Sequence, residues 1–204
     1  AEAAAGLAAV TEYGMADDAA RRALDAALRA PVLDDGIRLR LLVGAARLRP
    51  VGDPAALAAA DQAVALARDQ RDPVGLARAL AVHIQVTWDP RTSVRRLRDL
   101  DELVAMADEH HALELAGEAR NWLSATLAEL GRFDAAARDQ RIVEAWARQS
   151  RLPFFEGLAA MRRVARLLAA RRLADAEAAL GRWPESVLAS PNFGTAHLLQ
   201  RLLL

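Results

Sequence analysis

Apolar residues recur along this chain at helical spacing, and the pattern itself returns every 40 residues. Between Ser93 and Glu109, Leu97, Leu100, Leu103, Val104 and Ala107 fall on one stripe. Arg95, Arg98, Asp101, Glu102 and Asp108 lie largely off it. Apolar positions three and four apart predict an amphipathic helix that buries one face. Ala27, Ala67, Ala107 and Ala147 share the forty-residue step, as do Ala65, Ala105 and Ala145, and Ala79, Ala119 and Ala159. Alanine coincidences carry little weight in so Ala-rich a chain. Gly117 with Gly157, Leu127 with Leu167, Arg132 with Arg172, and Pro73 with Pro153 two periods on carry more. A fixed period of about 34 to 47 residues with helical texture marks stacked helix pairs.

The unit reads as two helices, A and B. Helix A is predicted at about 33–48, 73–87, 112–130, 153–170 and from 193 onward; helix B at about 17–29, 54–70, 93–109, 133–150 and 173–182. Asp53-Pro54, Asp72-Pro73, Ser93 and Asp134 supply start signals, Pro153 suits a first turn, and Gly131 sits just past a helix end. Trp183-Pro184 and Pro191-Asn192 are expected to break the last unit and shorten its helix B. The opening AEAAAGLAAV reads as the tail of an earlier helix A, and HLLQRLLL as an uncapped apolar end. Natural solenoids end in polar capping repeats, so a piece of a longer protein is expected.

Composition narrows the class. Hydrophobic residues make up 53% of the chain but aromatics only 4%, and the apolar content is mostly Ala and Leu, both strong helix formers. The expected fold is all-α: a right-handed α-solenoid of about five antiparallel helix pairs, forming a single domain over 1–204. Acidic and basic residues balance at 27 each, which gives no positive field for nucleic acid, so no direct nucleic-acid contact is expected. No Cys is present, which fits a cytoplasmic protein. No apolar run reaches the ~18 residues of a membrane span, and the start lacks a basic leader.

The junction Leu123…Leu127…Gly131-Arg132-Phe133-Asp134-Ala135-Ala136 resembles a tetratricopeptide repeat, with Leu123, Gly131, Phe133 and Ala136 at the motif's positions. At Arg171-Arg172-Leu173-Ala174-Asp175-Ala176 the Gly is lost and Leu replaces the aromatic. The period of 40 exceeds the usual ~34 because the helices are longer. Residues 88–136 and 162–180 look like the helical regions of large bacterial regulators, of the MalT-like, ATP-binding LuxR-type and AfsR/SARP-type groups. The resemblance implies a sensor arm that receives an inducer or a partner protein, beside a nucleotide-binding switch and often a DNA-binding helix-turn-helix.

Searches for catalytic patterns return little. Without Lys there is no P-loop lysine and no Schiff base; without Cys there is no thiol nucleophile and no zinc thiolate. No Gly-x-Ser-x-Gly elbow or His-Glu-x-x-His helix occurs. His110-His111 with Glu109 and Glu114 reads as a solvated junction rather than a metal site, and His83 as a packed histidine. Arg95-Arg96-x-Arg98 and Arg162-Arg163-x-x-Arg166 read as solvated helix faces, Arg162 and Arg166 also suiting one side of a polar groove. Trp88, Trp122, Trp146 and Trp183 read mainly as packing residues.

In tetratricopeptide-like stacks helix A lines the concave surface. The candidate ligand-binding or partner-binding residues on it are Arg38, Arg78, Gln85, Trp88, Glu118, Asn121, Trp122 and Arg162. The expected function is a non-catalytic sensor or protein-interaction domain of a bacterial transcriptional regulator. It would need no cofactor or metal, would bind a small-molecule inducer or a protein partner, and could self-associate. A stand-alone adaptor for a peptide or partner protein is the alternative; catalysis within these residues is not expected.

Overall fold

The computed structural model describes residues 18–204 except Val32 and Val51. The opening AEAAAGLAAV lies outside them. Among the described residues the fold is all-α, with no strand. The helices are α1 (Asp18–Leu28), α2 (Asp35–Arg47), α3 (Pro54–Gln70), α4 (Pro73–Val86), α5 (Ser93–Glu109) and α6 (Leu113–Glu129). They continue as α7 (Phe133–Ser150), α8 (Pro153–Ala169), α9 (Leu173–Leu180), α10 (Glu185–Leu188) and α11 (Pro191–Leu202). The five predicted A helices correspond to α2, α4, α6, α8 and α11, and the five B helices to α1, α3, α5, α7 and α9.

Local chemistry explains the boundaries. Asp34 Oδ1 accepts the Ile37 N–H at 3.1 Å, Asp53 Oδ1 that of Ala55 at 2.8 Å, and Asp72 Oδ1 that of Gly75 at 2.9 Å. Each carboxylate meets a backbone donor that the first turn leaves unpaired. Pro54, Pro73, Pro153 and Pro191 occupy first-turn positions, where a missing N–H costs nothing. Pro191 therefore opens a helix rather than breaking one, with Ser190 Oγ accepting from Phe193 N at 3.3 Å. Pro184 likewise precedes the short α10, an element the sequence pattern does not predict. Ser93 differs from expectation too. It lies inside the first turn of α5 and its hydroxyl donates to Pro90 O at 2.7 Å; Thr92 holds the N-cap position without a side-chain bond, and Asp89 caps only the preceding 3-10 turn Pro90–Thr92.

The forty-residue step also appears in the backbone. Arg71, His111 and Arg151, each one period from the next, close helices α3, α5 and α7 with positive φ of 53°, 52° and 53°. Gly131 (72°) and Arg171 (55°), one period apart, do the same after α6 and α8. Left-handed residues at these positions let N–H groups past the helix end bond back to its last carbonyls, as Arg132 N does to Leu127 O at 2.8 Å and Arg172 N to Leu167 O at 2.9 Å.

The described residues form two compact units, the first running to Ala119 and the second from Arg120 to Leu204, with the boundary inside α6. In the first, α1 packs on α2, α2 on α3, α3 on α4 and α4 on α5, and α2 also packs on α4. Ala56, Ala60, Ala63 and Ala67 of α3 are fully buried against Leu39, Leu42 and Ala46 of α2 and Ala79, Val82 and Val86 of α4. Small side chains let these helix axes approach closely. In the second unit α8 packs on α7, α9, α10 and α11. Phe155 and Leu158 meet Val143 and Ala147 on one side, and Val164 meets Ala176, Leu180, Trp183 and Val187 on another. Among the described residues no helix is long and apolar enough to cross a membrane.

Candidate recognition surface

Four of the candidate residues pair with one another across successive A helices. In the first unit, Gln85 near the end of α4 donates its Nε2 to Glu118 Oε1 of α6 at 2.6 Å. In the second, Arg162 of α8 donates Nε to Asn121 Oδ1 of α6 at 2.7 Å and Nη2 to the Asn121 carbonyl at 2.9 Å. A third bond of this kind joins α11 to α8, from Gln200 Nε2 to Met161 O at 2.9 Å. Gln85, Asn121 and Gln200 are all buried. Buried amides need such partners, and a bond between helices fixes their register.

Trp88 and Arg96 form a second local assembly in the first unit. The Arg96 guanidinium lies 3.8 Å from the centre of the Trp88 ring and donates to Asp89 O at 2.9 Å and Ser93 Oγ at 3.2 Å. Arg96 is only 3% exposed, so it does not belong to a solvated face, whereas Arg95 and Arg98 do. The arginine planes itself on the indole and satisfies its donors on the turn that starts α5. Asp89 accepts from Arg91, which holds its carboxyl down at about 2; Arg91 Nη2 stands 2.6 Å from Asp89 Oδ2.

Arg162 departs from expectation in the same direction. Its neighbours Arg163 and Arg166 are exposed, but Arg162 turns inward. It helps line a small cavity with Arg120, Asn121, Ser124, Gln140, Val143 and Leu158. Burial pushes its guanidinium down to about 10, still charged at neutral pH. Close by, Arg120 pairs with Asp139 at 2.9 Å and faces the Trp146 ring at 5.5 Å. Gln140 donates to Glu144 at 2.9 Å. Arg120 and Gln140 escape the sequence reading because nothing in the local pattern distinguishes them from exposed neighbours.

The remaining candidates face outward or line a cleft. Arg38 is partly buried, and its guanidinium has no hydrogen-bond or ion-pair partner among the described residues. It lines a cleft of about 260 Å³ in the first unit with Leu28, Leu42, Arg49, Ala59 and Gln62. Arg49 is already engaged by Asp25 Oδ1 and Ala45 O, both at 2.6 Å. Arg78 is exposed and likewise unpaired among the described residues. Trp122 is partly buried. His83 Nε2 lies 3.2 Å from Asp61 Oδ1, while His110 and His111 are exposed. Among the described residues no three His, Cys, Asp or Glu side chains gather as metal ligands.

No family model, curated protein or solved structure matches the chain. The functional reading rests on the residues themselves.

Proposed function

We propose that this chain is a tetratricopeptide-like α-solenoid, right-handed and built from about five helix pairs, and that it serves as the non-catalytic sensor or interaction arm of a bacterial transcriptional regulator. The observation that supports it most is the forty-residue recurrence of left-handed helix ends at Arg71, His111 and Arg151 and at Gly131 and Arg171. Repetition at the level of φ angles is what a chain of equivalent helix pairs requires, and such arrays act by presenting an extended surface. The regulator assignment comes from the resemblance of residues 88–136 and 162–180.

Within this reading Arg38 and Arg78 contact the inducer or partner. They occupy equivalent positions one period apart and their guanidinium groups are uncommitted, whereas Gln85, Glu118, Asn121 and Arg162 hold neighbouring A helices together. Two free cations at that spacing favour a ligand bearing carboxylate or phosphate groups. Binding shifts the parent protein only through unequal affinity for its two states.

The test is a thermal-shift screen of small carboxylates and phosphates on the wild-type chain and on an Arg38→Ala/Arg78→Ala double variant. The reading predicts compounds that raise the melting temperature of the wild type and not of the variant. Compounds that stabilise both equally would remove Arg38 and Arg78 from the site.

A further inference from the structure

We propose that the leucine face of α11 docks an amphipathic helix of a protein partner, one with small apolar residues between acidic flanks, and seats it as α8 seats α9. This inference stands on the second unit alone and does not depend on the regulator reading. Leu198, Leu199 and Leu202 of α11, with Leu203 just beyond it, are between 57% and 82% exposed. A contiguous apolar patch marks an interaction site, and a helix laid along it is a common way of filling one.

The second unit itself shows what such a face accepts. The first-turn prolines of α8 and α11, Pro153 and Pro191, stand 38 positions apart and align the two helices. Nine residues past each proline, Arg162 and Gln200 reach back to the preceding A helix, at Asn121 O and Met161 O. Ten residues past, Arg163 and Arg201 are both exposed. Seven and eleven residues past, the two helices differ. Ala160 of α8 is partly buried and Val164 fully buried, in one cluster with Ala176, Ala179 and Leu180 of α9. Leu198 and Leu202 hold the same positions on α11 and are exposed.

The chemistry of the occupant follows from that pair. α9 turns Ala176, Ala179 and Leu180 inward, while Asp175 and Glu177 stay exposed. Leucines on α11 replace Ala160 and Val164, so a docking helix needs residues as small as the α9 alanines to come close. Arg201 is the one charged residue of α11, and the second unit as a whole has thirteen arginines to eight acidic residues. A second copy of α11 would bring another Arg201 and no acid, whereas an acidic flank complements this charge.

The probe is a peptide of residues 173–181, stapled across the positions of Ala174 and Ala178, which are exposed on α9. The staple is needed because so short a helix does not hold itself in water. The peptide is titrated to about 1 mM into the chain carrying carbon-13 leucine methyls. The expected result is a saturable shift of the Leu198, Leu199, Leu202 and Leu203 methyls. It is lost in Leu198→Ser/Leu202→Ser and kept in Leu152→Ser, an exposed leucine elsewhere in the unit. Reversing the peptide charges, Asp175→Lys with Glu177→Lys, weakens binding roughly threefold at low salt, and Arg201→Glu in the protein restores it. No shift at these methyls overturns the proposal, as does equal affinity for the two peptides. Shifts of the same methyls with protein concentration alone give the face to a second copy and overturn it too. Repeated with the whole gene product, the titration must give the same result; methyls that ignore the peptide there belong to a contact within that protein, which also overturns the proposal.

Discussion

The Phe193 ring of α11 lies directly on Gly157 of α8, in the space a Cβ at that position would fill. Phe193 also stands 6.4 Å from the Phe154 ring, so the contact is part of the packing between two A helices. Gly157→Ala must push the ring out of a packed cluster. Overpacking of this kind costs about 1–3 kcal/mol. Urea unfolding of Gly157→Ala should show a loss in that range, and relief when Phe193 is shortened to Leu in the same chain.

The left-handed helix ends make a paired prediction. Gly131 adopts φ of 72° freely, and no atom crowds it, so Gly131→Ala loses about 1 kcal/mol through backbone strain alone. Arg171 holds the equivalent position with a side chain that disfavours it. Arg171→Gly is expected to gain up to ~1 kcal/mol by the same measurement. Opposite signs at the two positions would show that the forty-residue equivalence is energetic as well as geometric.

Arg96 should be the most sensitive of the basic residues in the first unit. Truncation to Ala removes the stack on Trp88 and the bonds to Asp89 O and Ser93 Oγ from a buried site, which predicts a loss of at least ~2 kcal/mol. Arg96→Lys keeps the charge but not the planar fork, and should rescue only part of it. Arg95→Ala and Arg98→Ala, on exposed positions, should stay within about 0.5 kcal/mol.

Asp89 carries a pH signature. Its folded-state pKa is depressed to about 2 by the hydrogen bonds from Arg91. A depressed carboxylate stabilises the fold fully above its unfolded pKa, near 4, and that contribution fades as pH falls toward about 2. Carbonyl-carbon NMR of the Asp89 carboxyl should titrate near 2; a midpoint near 4 would show that the Arg91 bonds do not persist in solution.

Much of the helical layout is legible in the sequence because its signals are local. Proline and aspartate fix where α3 and α4 start, and the Leu100–Leu103–Ala107 stripe does turn inward. Pairings across a period are not local. Nothing near Arg96 says that it, rather than Arg95, meets Trp88, and nothing near Asn121 announces Arg162. Yet Asn121 and Arg162 stand 41 positions apart, and Met161 and Gln200 stand 39 apart. Polar residues about one period apart on A helices are therefore candidates for direct contact, a rule that the repeat itself supplies. The short α10 had no comparable signal beyond Pro184, because a proline that ends one helix and a proline that precedes the next look alike.

The most direct test of the proposed role is to read the parent gene on both sides of this segment. A Lys-containing P-loop encoded upstream and a helix-turn-helix downstream are the predicted result, and make the chain a regulator's sensor arm. Stop and start signals close to both ends would contradict that account and leave a stand-alone adaptor.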